Sequence, residues 1–139
     1  MKKAVIVYWS GTGNTEAMAK AVAEGVREGS FEATVLEVAQ ANAEDIANYD
    51  LIALGCPSMG DEVLEESEFE PFFTQLEQKL SGKKVALFGS YDWGDGQWMR
   101  DWVQRSLAAG AEVFKEGLIM QGAPNEQECT VYGREFAAS

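Results

Sequence analysis

Six consecutive residues, Ser10-Gly11-Thr12-Gly13-Asn14-Thr15, bring four hydroxyl or amide side chains and two glycines together directly after the apolar run Ala4-Val5-Ile6-Val7-Tyr8-Trp9. At a strand-to-helix turn this set cradles an anion. The glycines let backbone N–H groups close on it, the next helix presents its positive end, and Ser10, Thr12, Asn14 and Thr15 donate hydrogen bonds. Neither Lys nor Arg stands between Lys3 and Lys20, so the ligand's charge would be met by neutral donors alone. A dinucleotide fingerprint would want a third glycine where Glu16 stands, and a P-loop would want a lysine that Asn14-Thr15 does not supply.

Two further segments carry unusual chemistry. Cys56-Pro57-Ser58-Met59-Gly60-Asp61-Glu62 sets a glycine beside a loop methionine, and Gly89-Ser90-Tyr91-Asp92-Trp93-Gly94-Asp95-Gly96 sets two aromatics among glycines. A flat aromatic ring sandwiched between Met59 and Trp93 would account for both apolar side chains being placed in loops. Trp9, Trp98 and Trp102 occupy strand or helix positions and read as packed aromatics, while Met18 and Met99 sit at helical core spacing. With no histidine in the chain, Ser-His and Cys-His nucleophile pairs and histidine-metal sites are excluded. Cys56 and Cys129 lie too far apart for a metal spacing and read as small buried apolar residues. A low-molecular-weight phosphatase would need an arginine where Glu62 stands.

These segments must be positioned by regular elements. Ala4 to Trp9, Thr34 to Val38, Leu51 to Cys56, Val85 to Gly89 and Val113 to Met120 are short runs rich in Val, Ile and Leu, which predict strands of a doubly wound parallel sheet. Between them the spacing predicts helices over Thr15 to about Glu28, Glu44 to Asn48, Pro71 to Leu80, Gln97 to Ala109, and about Glu126 to Ala138. Five such β-α units give an α/β fold with strand order 2-1-3-4-5, whose ligand sits at the carboxyl ends of strands 1 and 3, where the sheet reverses direction. The loops after strands 1, 3 and 4 are the three segments just described. A phospho-receiver shares this order but would need acidic residues after strand 1 and an aspartate ending strand 3, where the chain has Trp9-Ser10 and Gly55-Cys56.

Length and charge set the context. A chain of 139 residues is one domain by expectation, 1–139, able to bury roughly two-thirds of its unfolded surface. Twenty-three acidic against 11 basic residues give a formal charge of −12, which argues against nucleic acid or an anionic membrane and for cationic protein partners. The start, Met1-Lys2-Lys3 leading into a short apolar run, does not read as a signal peptide or a spanning helix, so a cytoplasmic location is expected. The acidic stretch Asp61 to Glu70 reads as a solvated face, part of which steers partners.

The Ser10–Thr15 turn with Glu16-Ala17-Met18, the Met59-Gly60-Asp61-Glu62 loop, Leu64 to Phe72, and Phe88-Gly89-Ser90-Tyr91 with Trp93-Gly94-Asp95-Gly96 together resemble the short-chain flavodoxins of anaerobic bacteria, over the whole chain. The resemblance implies a flavodoxin-like three-layer α/β/α sandwich holding FMN non-covalently. Ser10, Thr12, Asn14 and Thr15 would hold the FMN phosphate, with Gly11 and Gly13 offering backbone N–H groups. Pro57 or Ser58 would line the ribityl side, Met59 and Trp93 would cover the two faces of the isoalloxazine ring, and Glu62 would accept from the flavin N3–H. Asp61, Ser90, Tyr91, Asp92 and Gly94 would complete the cofactor loops. Gly60, lacking Cβ, would let its peptide turn toward the ring and stabilise a neutral semiquinone. Asp92 stands where the family commonly has glycine, so a positive φ there would cost about 1 kcal/mol, and Gly122 falls where a polar side chain touches the ribityl chain.

The resemblance implies an electron carrier without substrate turnover, monomeric and ferredoxin-like in role, serving redox partner proteins with basic docking surfaces. The reduced flavin would be anionic beside an unneutralised phosphate and Asp61, Glu62, Asp92 and Asp95. One unit charge about 10 Å away costs on the order of 1–2 kcal/mol at an effective dielectric near 20 to 40. That is tens of millivolts, since roughly 1.4 kcal/mol is 59 mV for one electron. A low-potential one-electron shuttle between semiquinone and hydroquinone follows. The rival class, an FMN-dependent reductase binding NAD(P)H, lacks any recognisable nicotinamide pocket.

Overall fold

The computed structural model describes residues 2–139; Met1, part of the leader reading above, lies outside them. Strands β1 (Lys3–Tyr8), β2 (Glu32–Glu37), β3 (Leu51–Gly55) and β4 (Lys84–Tyr91) are all parallel neighbours, and β5 (Glu112–Val113) and β6 (Leu118–Gln121) both pair with β4. The order is β2-β1-β3-β4-β5, with β6 continuing the fifth position beside the carboxyl half of β4. Helices α1 (Asn14–Glu28), α2 (Ala43–Ile46), α3 (Phe69–Leu76), α4 (Gln97–Ala108) and α5 (Glu126–Ala137) flank the sheet.

The two-residue side-chain period of a strand sorts the core into two layers. Ala4, Ile6 and Tyr8 of β1, with Ala53, Ala86 and Phe88, face Met18, Val22 and Val26 of α1 and Cys129, Tyr132 and Phe136 of α5. Val5 and Val7, with Ile52, Leu54, Val85 and Leu87, face Ile46 of α2, Phe69, Phe73 and Leu76 of α3, and Trp98 and Trp102 of α4. Because both faces of β1 and β3 are covered, their sequences are continuously apolar rather than alternating. Trp102 meets Phe69 and Phe73 edge-on at 5.5 and 5.9 Å, which locks α3 to α4.

Several boundaries depart from the sequence expectation by a few residues, and three of them have a physical reason. The single strand Val113–Met120 is broken, because Lys115 (φ 54°) and Gly117 (φ 88°) turn the chain out of the sheet before it re-enters as β6. Helix α3 begins at Phe69, which places Pro71 inside its first turn, where no backbone N–H is required. Strand β4 runs two residues further than its apolar core, because Ser90 and Tyr91 pair with Met120 and Gln121.

Candidate functional site at the carboxyl ends of the strands

The apolar β1 ends at Tyr8, and the chain then turns over the sheet into α1. Gly13, at φ 98°, is the helix N-cap, a left-handed conformation that a Cβ would penalise. The Ser10 hydroxyl oxygen accepts from the N–H groups of Gly13 (3.1 Å) and Glu16 (3.3 Å). With both acceptor positions used, its own proton is left to donate outward. Among the described residues, the N–H groups of Gly11, Thr12, Asn14 and Thr15 have no protein acceptor. This is a neutral donor set at a helix N-terminus, and its chemistry fits a phosphoryl group. The nearest helix cation, Lys20, is committed to Glu16 at 3.3 Å.

The loop after β3 closes as a short hairpin. Met59 and Val63 exchange backbone bonds, each at 3.0 Å, around Gly60-Asp61-Glu62. Gly60 (φ 47°) and Glu62 (φ 57°) both lie in the left-handed region, so the one non-glycine there is held under strain of about 1–2 kcal/mol. The Glu62 carboxylate lies against Gly94, where a Cβ would collide with it, and accepts from the Trp98 N–H at 3.3 Å in the first turn of α4. Glu62 therefore spans the second and third loops.

In the loop after β4, Trp93 stands 61% exposed, an aromatic face held in solvent, while Met59 is half-buried. Tyr91 turns its ring onto Trp98, with centroids 5.6 Å apart. Asp92 is exposed and adopts no positive φ, so the strain anticipated for it is absent; Gly94 and Gly96 make the left-handed turns instead. Gln121 Nε2 donates to the Asp92 carbonyl at 3.1 Å, and the Gly122 N–H donates to the Tyr91 carbonyl at 2.9 Å, tying this loop to the end of β6.

The three loops meet through bonds between residues distant in sequence. Trp9 N–H donates to the Gly55 carbonyl, Ser58 N–H to the Ser90 carbonyl, and the hydroxyls of Thr15 and Ser90 lie 2.8 Å apart. Ser10 to Thr15, Pro57 to Glu62, and Ser90 to Gly94 thus share one end of the sheet.

Sequence reasoning missed three contributors. Trp9 lays its ring against Gly11 and donates its indole N–H to Glu68 at 3.2 Å, so it braces the anion turn; its position beside Ser10 was the available signal. Trp98 fixes Glu62 through its backbone and Cys56 through its indole, which donates to the Cys56 carbonyl at 3.1 Å. Glu65 is 5% exposed, not part of a solvated face, and its carboxylate accepts from Ser67 N–H and hydroxyl and from Glu68 and Phe69 N–H. Desolvation pushes its pKa up, but these four donors outweigh burial and hold it below the ordinary glutamate value. The bonds cap α3 and anchor the chain just beyond the hairpin. Burial raises the pKa of both thiols, that of Cys129 to about 12.

A wider surface cleft of about 870 Å³ lies off the sheet edge between Lys115–Leu118 and α5, away from these loops. Lys115 there is already paired with Glu135. It is the three-loop end that collects free donors, an exposed aromatic and a fixed carboxylate.

The parallel α/β sheet, with a neutral donor turn and two neighbouring loops that carry Met59 and Trp93, has the architecture of a flavodoxin-like protein. The family model for flavodoxin matches residues 6–132. Among curated relatives, the flavodoxin of Clostridium beijerinckii is 52% identical over 134 residues, covering 95% of this chain and 97% of its own. That of Megasphaera elsdenii is 48% identical over 132 residues, covering 95% and 96%. The solution structure of two-electron reduced Megasphaera elsdenii flavodoxin aligns with a TM-score of 0.89 at 46% identity, covering 98% of this chain and 99% of that one. The chain belongs to the flavodoxin family, binds FMN and carries electrons through it.

Proposed function

We propose that this chain is a low-potential, one-electron carrier with no substrate turnover of its own, acting as a single-domain monomer in the cytoplasm. The observation that carries this reading is the convergence, on one sheet end, of an anion turn without a cation and a loop that exposes Trp93. Ser10, Thr12, Asn14 and Thr15 hold the phosphate together with the free N–H groups of Gly11, Thr12, Asn14 and Thr15, the expected N–H of Gly13 being taken instead by the Ser10 hydroxyl oxygen; Pro57 or Ser58 lines the ribityl side. Met59 and Trp93 cover the ring, Glu62 takes the N3–H, and Asp61, Ser90, Tyr91, Asp92 and Gly94 shape the surrounding loops.

Bound FMN supplies one-electron chemistry; the polypeptide supplies binding, orientation and field. The reciprocal bonds of Met59 and Val63 pin both ends of the hairpin, which confines backbone rotation to Gly60-Asp61-Glu62. Gly60 sits at φ 47°, a left-handed conformation that costs a glycine little, so backbone rotation there carries no Cβ penalty. Asp61, Glu62 and Asp92 place negative charge at the same end, opposing further electron uptake, while Asp95 is offset by its pairing with Arg100 at 2.9 Å.

A redox titration of the flavin-loaded protein tests this. Two separated one-electron waves are expected, the second the more negative, with a blue long-wavelength absorption between them. A single two-electron wave overturns the carrier reading. Bleaching by NADPH alone, with repeated turnover on a quinone, would favour the FMN-dependent reductase instead.

A further inference from the structure

The Thr15 and Ser90 hydroxyls, 75 residues apart in sequence, are 2.8 Å apart, and the geometry allows either to donate. Thr15 is 1% and Ser90 5% exposed, so water does not compete for the bond. We propose that Ser90 is a positioning residue, acting through Thr15 to aim the Thr15 hydroxyl proton at the phosphoryl group; this rests on the Ser10–Thr15 turn being the phosphate site.

A hydroxyl has one proton and two acceptor lone pairs. If Thr15 donates to Ser90, it turns lone pairs toward the turn, where they repel an anion. If Ser90 donates to Thr15, the Thr15 proton is released for the phosphoryl oxygen. Neither hydroxyl has another hydrogen-bond partner among the described residues, so the pair has these two arrangements, and a bound anion selects the second. Ser90 is well placed to dictate the choice. It sits within β4, registered against Met120 of β6, and its carbonyl takes the Ser58 N–H at 3.0 Å, so its backbone is fixed on both sides. Thr15 is the second residue of α1, and its own N–H has no acceptor among the described residues. Ser90 therefore lies behind the donor it orients, rather than on the cofactor.

Riboflavin shares the ring and ribityl chain with FMN but lacks the phosphate, so competition between the two flavins on the loaded protein isolates the effect. In Ser90→Ala the FMN-to-riboflavin affinity ratio is expected to fall about tenfold, the equivalent of one well-placed hydrogen bond, any loss of riboflavin affinity being the smaller of the two. Ser90→Cys, which keeps the size but donates weakly, should lower the ratio likewise and decides the matter if the alanine variant folds poorly. Ser90→Thr should restore it, and in a Thr15→Ala background Ser90→Ala should have no further effect. An unchanged ratio in both Ser90 variants, an equal loss of both flavins, or additive losses with Thr15→Ala would overturn the proposal. A wild-type protein that holds riboflavin as tightly as FMN would instead remove the phosphate reading beneath it.

Discussion

The residue whose environment departs most from its sequence appearance is Glu65. It lies in an acidic run that reads as a wet surface, yet its carboxylate is folded inward under four donors. Because its folded-state pKa lies below the unfolded value, its stabilisation is complete above that unfolded value and is lost as pH falls through the folded one. Glu65→Gln places an amide N–H₂ against N–H donors, so urea unfolding at pH 7 should show a loss of about 1–3 kcal/mol. That difference should shrink in acid, where the wild-type carboxyl is itself protonated; a loss that stays constant from pH 7 to pH 3 would show that Glu65 acts only by packing. The placement of other single residues on loops at this end of the sheet was legible. Ser10 announced itself by type and neighbours, and Met59 and Trp93 by lying in glycine-flanked loops. The Thr15–Ser90 bond and the contact of Glu62 with Gly94 were not legible, since each joins residues that only the folded sheet brings together.

Elements were read well where their signal is local. The helix expected from Thr15 to Glu28 differs from α1 by one residue, because Met18, Val22 and Val26 face the sheet at helical spacing and Gly29 follows. Strand five was misread because Phe114-Lys115-Glu116-Gly117 continues an extended-looking run, and the left-handed turn at Lys115 has no compositional marker. Close approach between α1 and α5 was likewise invisible. Arg134 Nε donates to Glu28 and Thr130 Oγ1 to the Ala21 carbonyl, and a Cβ on Gly133 would fall inside the Val22 carbonyl. Helix propensity alone favours Gly133→Ala by about 1 kcal/mol. The backbone clash reverses that sign, and a net loss of about 1–3 kcal/mol is expected from forced separation of the pair. A variant that melts higher than wild type would show that the helices part freely.

At the scale of the whole molecule, a net charge of −12 sets long-range behaviour that no single contact controls. Association with a basic redox partner should slow by about tenfold or more as ionic strength rises from 0.01 to 0.15 M, where the Debye length shrinks from about 30 to about 8 Å. Stopped-flow electron transfer measures it, and a rate indifferent to salt would put recognition in short-range packing around Val63 and Trp93, both exposed. This charge was fully legible, being a property of composition. Its local placement was not, because Glu70 is spent on Arg105 at 2.6 Å rather than left on the surface. A last consequence follows from the two sulfurs sealed in opposite core layers. Peroxide and other oxidants attack the thiolate, and both thiols stay protonated at neutral pH, so this chain resists sulfenic acid formation and covalent dimerisation in air without an added thiol reductant.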